Sequence, residues 1–314
     1  MTFTIILFFA GLALLYYGAD FLVDGSSRLA LSFGIRPLII GMTIVSFATS
    51  MPEMMVSLLA VGQGSSDIAV GNIVGSNVAN IGLILGASAL LMPLMVPRGL
   101  LSRELPIMIA ATLILYLMCI DGTLSRVDGG ILLFALVLFI AYCLRFARQA
   151  GLNPEAPESF VAEETGHRGR DVLYIVGGII GLGVGANWMV SSAVTIARAI
   201  GLSELFIGMT IVALGTSLPE LAASLMSAAK GEMEISIGNV IGSNIFNILF
   251  VLGACPLLQP ISVDPAILRL ELPVVMVFSV GLVPLCWHRH VIGRWKGVLL
   301  LLAYAAFIVA MMLR

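Results

Sequence analysis

Apolar stretches of roughly 20 residues, the length that carries a helix across a bilayer, recur along this chain with short polar breaks between them. The pattern predicts ten helical spans: 3–24, 37–60, 68–91, 104–120, 127–147, 172–195, 205–228, 235–258, 270–287 and 293–313. Residues 148–171 form the only long polar stretch, with Pro154, Pro157, Glu155, Glu158, Glu163, Glu164, Arg168 and Arg170. It reads as a linker too small to fold alone. Polar residues also sit where lipid would exclude them, inside spans two, three, seven and eight.

Those polar interruptions are the same sequence twice. Gly41-Met-Thr-Ile-Val-Ser-Phe-Ala-Thr-Ser-Met-Pro-Glu53 returns as Gly208-Met-Thr-Ile-Val-Ala-Leu-Gly-Thr-Ser-Leu-Pro-Glu220, nine of thirteen positions being identical. Gly71-Asn-Ile-Val-Gly-Ser-Asn-Val-Ala-Asn80 returns as Gly238-Asn-Val-Ile-Gly-Ser-Asn-Ile-Phe-Asn247, again 167 residues on. Gly18-Ala-Asp20 matches Gly185-Ala-Asn187, and Glu104-Leu-Pro106 matches Glu271-Leu-Pro273, at the same offset. The first half, 1–147, and the second, 172–314, therefore hold five spans each, with the repeated segments at 41–86 and 208–253. Five is odd, so the second copy enters the membrane upside down. The predicted fold class is an all-α polytopic membrane protein, ten transmembrane helices arranged as two inverted five-helix repeats. Such repeats mark secondary transporters, with substrate bound near the midplane where the halves meet.

Composition agrees: 60% of residues are hydrophobic and 11% charged. No Walker A pattern is present, nor a soluble domain to hold one, which argues against ATP-driven pumping. No positive segment precedes the first apolar run, so it reads as a retained span and not a cleaved signal. With the N-terminus outside, 12 of the 16 Lys and Arg fall on the cytoplasmic side, and Arg126, Arg198, Arg269 and Arg314 fall outside. That bias predicts both termini outside, a cytoplasmic linker and residence in the cell (inner) membrane. Cys119, Cys143, Cys255 and Cys286 lack pairing or metal spacing and read as buried thiols. Glycines four apart (Gly71/Gly75, Gly82/Gly86, Gly238/Gly242 and Gly177/Gly181/Gly185) read as close helix contacts.

The chemistry lies in the repeated motif. Pro52 and Pro219 cannot donate a helical N–H, which frees the carbonyls of Ala48 and Gly215. Residues 51 and 218 should leave helical geometry, so spans two and seven should break at Thr-Ser-x-Pro. Glu53 and Glu220 then open the second half-helices, where the helix dipole favours negative charge. A carboxylate at a span's centre costs about 2.5–3.5 kcal/mol on insertion scales; two of them, duplicated with their neighbours, mark a site. Ser76 and Asn80, like Ser243 and Asn247, lie four apart and share a helix face; Asn77 and Asn244 lie one step round. The donors are carboxylates, hydroxyls, amides and freed carbonyls. That is the preference of hard cations such as Ca²⁺ or Na⁺, and not of zinc or copper. Two ionised Glu balance one Ca²⁺.

In two inverted copies, Ala48/Gly215-Thr-Ser-x-Pro-Glu followed by Gly-Ser-Asn-x-x-Asn resembles the α-repeats of the sodium/calcium exchanger family, whose pattern is Gly-x-Ser/Thr-x-Pro-Glu, within the calcium/cation antiporters. The resemblance covers essentially the whole chain. It implies alternating access, with spans one and six sliding past the other eight, and no enzymatic activity. It implies Ca²⁺ binding by Glu53 and Glu220 and cation-binding hydroxyls at Thr49, Ser50, Thr216, Ser217, Ser76 and Ser243. It further implies an amide ligand at Asn80 and backbone ligands at Ser46, Thr49, Ala213 and Thr216. Many relatives carry Asp where this chain has Asn247, which leaves the site one ionisable group short. Ca²⁺ and Na⁺ are then substrates and no cofactor is required. The expected partners are those ions and the bilayer, with no nucleic acid and no obligatory oligomer.

Three other readings compete. Proton-coupled exchange of Ca²⁺ or another divalent cation would use the same glutamates. An intramembrane hydrolase would need paired Asp, Ser–His or His-Glu-x-x-His within the spans, and no such set is there. A passive channel fits inverted halves with one central site less well. Asp20 is expected to pair with Arg28 or Arg36, and Glu104 and Glu271 with Arg103 and Arg269. His167, His288 and His290 lack metal spacing.

Overall fold

The computed structural model describes residues 2–150, 168–201, 213–287 and 289–312. Among these residues eight helices are long and apolar enough to cross a membrane, from Thr2–Ser32 to Arg294–Met312. A ninth crossing is the pair Pro37–Thr49 and Met51–Gly62, bent by 42° at its break. The described part of the seventh span, Ala213–Thr216 and Leu218–Ala229, completes ten helices in two inverted repeats. Its beginning, 205–212, and linker residues 151–167, with His167, lie outside the described residues, as does His288. The fifth helix runs to Ala150 and the sixth starts at Arg168, so helix enters both ends of the expected linker.

The repeat offset reappears in three dimensions. Strands β1 (Leu94–Met95) and β4 (Val291–Ile292) pair antiparallel, and so do β2 (Thr123–Leu124) and β3 (Ile261–Ser262). Each ribbon clips a loop of one half to a loop of the other. Strands two residues long carry no legible period-two pattern, which is why the apolar pattern does not reveal them.

Spans three and eight, Ser66–Leu91 and Met233–Leu258, form the centre and are the most buried of the long helices among the described residues. Their inner faces join Ile73, Val78, Ile81, Val240, Ile245 and Ile248 into one core. Large apolar side chains such as Phe3, Phe9, Phe134, Leu138, Leu299 and Leu302 point outward instead, an arrangement that suits hydrocarbon and not water.

Spans one and six pack antiparallel along their whole length. At Gly18 an added Cβ would sit 2.7 Å from Leu182 N and 3.0 Å from Gly178 O, so backbone meets backbone. Gly11 and Gly25, seven residues to either side of Gly18, make the same approach to Gly185 and Asp171. Of the glycines spaced by four, Gly181 and Gly185 lie in this contact, whereas Gly71, Gly75 and Gly177 face open space, and the stripe itself repeats every seven residues. Gly242 plays a similar part between spans two and eight, where a Cβ would lie 2.6 Å from both Met42 Cα and Ser46 Oγ. Gly242→Ala is expected to destabilise the purified protein by about 1–3 kcal/mol. Thermal unfolding in detergent reads this, and an unchanged midpoint would mean that the two helices part without strain.

Two expectations for charged residues are corrected. Asp20 pairs with Lys230 at 2.6 Å, and Asp24 contacts the same ammonium. Arg28 instead meets Asp171 at 3.1 Å and Arg36 meets Glu234 at 3.4 Å. Partial burial works against the charge on Lys230, which lies beyond the end of its span, but hydrogen bonds to Asp20 and Asp24 outweigh it and raise the pKa above the usual lysine value. Glu104 is buried and accepts from Tyr142 Oη at 3.3 Å, while the Arg103 guanidinium lies over the Phe146 ring. Adjacent helical residues point about 100° apart, so Arg103 and Glu104 cannot face one another. Glu271 is likewise buried. The four cysteines are free and buried, as expected.

Candidate cation site

Both motif spans break, one residue earlier than the proline rule predicts. Ser50 (φ −82°, ψ 3°) and Ser217 (φ −87°, ψ 6°) leave helical geometry, whereas Met51 and Leu218 begin the new helices. Turning at the serine leaves Pro52 and Pro219 in a first turn, where a missing N–H removes no bond that would otherwise form. Glu53 and Glu220 fall in those first turns and are buried, 0% and 1% exposed.

The breaks face each other across the two halves, and the hydroxyls cross over. Ser50 Oγ donates to Glu220 Oε1 and Ser217 Oγ to Glu53 Oε1, both at 3.2 Å. Ser76 Oγ lies 3.5 Å from Glu53 Oε1 and 3.3 Å from Ser217 Oγ. Thr49 Oγ1 lies 3.5 Å from Ser243 Oγ. The Ser46 carbonyl accepts from Ser50 N at 3.0 Å, so helix bonding already engages it, and it lies 3.4 Å from Thr49 Oγ1. Of Ala213 the structure describes only that it opens the turn Ala213–Thr216.

Asn80 and Asn247 begin short π-helical turns, Asn80–Ile84 and Asn247–Val251. Widening a helix by one residue re-aims a side chain, and such turns collect at functional sites. Their amides are held across the repeat boundary: Asn80 Nδ2 donates to Asn244 Oδ1 at 3.4 Å, and Asn247 Nδ2 to Asn77 Oδ1 at 3.1 Å. The neighbouring asparagines therefore aim the amides. Sequence shows that Asn77 and Asn244 are duplicated but not which way they point.

Eight buried side-chain atoms lack a hydrogen-bond partner among the described residues, and four of them belong to this cluster: Glu53 Oε2, Glu220 Oε2, Asn80 Oδ1 and Asn247 Oδ1. All four can only accept, or do so when the carboxyls are ionised. Buried acceptors without donors are unfavourable by about 1–3 kcal/mol each, more for charged groups, so their concentration in one place calls for a positive occupant. Among the described residues no cluster of three or more His, Cys, Asp or Glu forms a metal site; here there are two carboxylates, and hydroxyls and amides supply the rest. Such an all-oxygen set suits a hard cation.

Two further asparagines of the repeated motif, Asn72 and Asn239, join the site through its threonines. Asn239 Oδ1 accepts from Thr49 Oγ1 at 3.2 Å, and Asn72 Oδ1 from Thr216 Oγ1 at 3.4 Å. Both are duplicated at the common offset of 167 residues, which is their signal in the sequence.

Comparison with known proteins agrees with this architecture. The family model described as sodium/calcium exchanger protein matches twice, over residues 3–145 and 171–313. Inner membrane protein YrbG of Escherichia coli K12 is 42% identical over 301 residues, covering 94% of this chain and 92% of that one. Sodium/calcium exchanger MaX1 of Methanosarcina acetivorans is 31% identical over 348 residues, covering 99% of each. A solved structure of the sodium-calcium exchanger NCX_Mj, soaked with 2.5 mM Na⁺ and 0.1 mM Ca²⁺, matches with a TM-score of 0.85 at 32% identity over 98% of each chain. A double match that spans nearly the whole chain, on a fold carrying this oxygen cluster, means that the chain belongs to the sodium/calcium exchanger family.

Proposed function

We propose that this chain exchanges Ca²⁺ for Na⁺ across the membrane by alternating access. The family is one of ion exchangers and not of enzymes. The observation that carries the reading is the set of four acceptor oxygens without donors, one from each of Glu53, Glu220, Asn80 and Asn247. Hydroxyls of Thr49, Ser50, Ser76, Thr216, Ser217 and Ser243 complete the cage, with backbone oxygens at Ser46, Thr49, Ala213 and Thr216. With both Glu ionised the protein contributes −2, so one Ca²⁺ or two Na⁺ leave it neutral. A neutral loaded site crosses a low-dielectric barrier more readily than a charged one.

In this reading residues 1–147 and 172–314 are the two repeats and 148–171 the cytoplasmic linker. The termini lie outside, in the inner membrane. Spans one and six, joined by their glycine stripe, are the pair that slides.

The test is purified protein in liposomes, with radiolabelled Ca²⁺ uptake driven by imposed Na⁺, K⁺ or pH gradients. Uptake should follow the Na⁺ gradient at fixed pH. Uptake that follows only the pH gradient would replace this reading with proton-coupled exchange, and gradient-independent equilibration at channel rates would replace it with a pore. Asp20→Asn is expected to keep uptake within about twofold of wild type, because Asp24 still holds Lys230 and exposed ion pairs are worth about 0–1 kcal/mol. A tenfold loss would place Asp20 on the ion path.

A further inference from the structure

We infer that Asn239 and Asn72 are positioning residues that make the Thr49 and Thr216 hydroxyls acceptor-only ligands for the transported cation. The inference rests on the proposed cation site and adds to it the direction in which those hydroxyls point.

The argument starts from an atom that cannot donate. Asn239 Nδ2 lies 3.3 Å from the Glu220 carbonyl and 2.9 Å from Ser224 Oγ. A carbonyl oxygen only accepts, so the amide must present its N–H₂ there. That settles an orientation which amide geometry alone leaves open. Oδ1 must then face Thr49 Oγ1, 3.2 Å away. Oδ1 also only accepts, so Thr49 must donate. Two competing acceptors are more distant, Ser46 O at 3.4 Å and Ser243 Oγ at 3.5 Å; Thr49 also faces the Glu220 carboxylate, the group that the cation engages in this reading. A threonine hydroxyl has one proton and two lone pairs. Once the proton is committed to Asn239, the hydroxyl can offer only lone pairs to a cation, and no proton is left to turn toward it.

The repeat symmetry builds the same device a second time, with the roles of the two repeats exchanged. Asn72 Nδ2 lies 3.4 Å from the Glu53 carbonyl and 3.1 Å from Ser57 Oγ, and Asn72 Oδ1 accepts from Thr216 Oγ1 at 3.4 Å. Each asparagine thus sits on one repeat and orients a threonine of the other. Asn239 is fully buried, so no solvent competes for its bonds. A structural tie between helices would need only the carbonyl and serine bonds. The threonine bond is the one that bears on the ion.

A double-mutant cycle on the full-length protein tests this, read by equilibrium Ca²⁺ binding and by Na⁺-driven uptake. Asn239→Leu should raise the half-saturating Ca²⁺ concentration about fivefold to tenfold, the scale of one neutral hydrogen bond. Maximal uptake per folded protein should stay within about twofold. The same factor should appear on Thr49→Ser, which keeps the hydroxyl, and vanish on Thr49→Val, which lacks it. An equal factor on Thr49→Val, a loss confined to maximal rate, or no change would overturn the inference. Running the cycle on Asn72 and Thr216 as well keeps the test decisive if one pair of variants folds poorly. Wild-type protein that binds Ca²⁺ but shows no Na⁺-driven uptake would overturn the proposed exchange while leaving the binding cycle to judge the asparagines.

Discussion

Glu53→Gln and Glu220→Gln are each expected to abolish Ca²⁺ exchange while leaving the protein folded and inserted. Glutamine preserves the shape of the side chain and the oxygen that accepts from Ser217 or Ser50, so the crossed hydrogen bonds survive. The charge does not. Opposite charges about 4 Å apart, at an effective dielectric of about 20, attract by about 4 kcal/mol for each pair of unit charges. Losing one carboxylate therefore weakens Ca²⁺ binding by at least about a thousandfold, since each 1.4 kcal/mol is a factor of ten. It also leaves the Ca²⁺-loaded site at +1 where the native site is neutral, which opposes crossing. Radiolabelled uptake and gel filtration of the purified variants check the two halves of the statement. Wild-type uptake by either variant would show that the carboxylates are structural.

Asn247→Asp is expected to retain Ca²⁺ binding but to make exchange more dependent on pH. In the native chain Asn247 turns its N–H₂ to Asn77 Oδ1 and leaves its own Oδ1 without a donor. Aspartate cannot make that donation, so Asn77 would have to turn its amide and donate instead. A third carboxylate would also join two others in a buried site, where like charges disfavour the fully ionised set. The Ca²⁺-loaded variant must then hold a proton or carry −1 across the barrier. A proton that enters the cycle makes the rate follow pH, whereas the native pair of glutamates is balanced by Ca²⁺ alone. Initial uptake measured from about pH 6 to about pH 8 under a fixed Na⁺ gradient reads the difference, the window in which a carboxylate displaced by such neighbours changes charge. Superimposable profiles for the variant and wild type would remove Asn247 from the cation site.

Much of this molecule is settled by residue order alone. Apolar length dictates spans, because unbonded backbone cannot remain in hydrocarbon, and an odd number of spans per repeat dictates inversion. The duplicated Pro-Glu and Asn residues dictate where those spans break and where oxygen gathers, since a missing N–H and a buried carboxylate have the same consequence in any fold. Direction and partnership belong to the tertiary structure. Lys230 stands 210 residues beyond Asp20, and only folding brings it nearer than Arg28. The break falls at Ser50 and not Met51, and at that turn the serine hydroxyl meets the glutamate of the opposing repeat, a partner 170 residues away. Likewise an asparagine in a sequence is an unaimed amide. Whether its oxygen is left without a donor, as in Asn247, or accepts from a threonine, as in Asn239, depends on which buried atom nearby can only accept, and that atom is supplied across the fold.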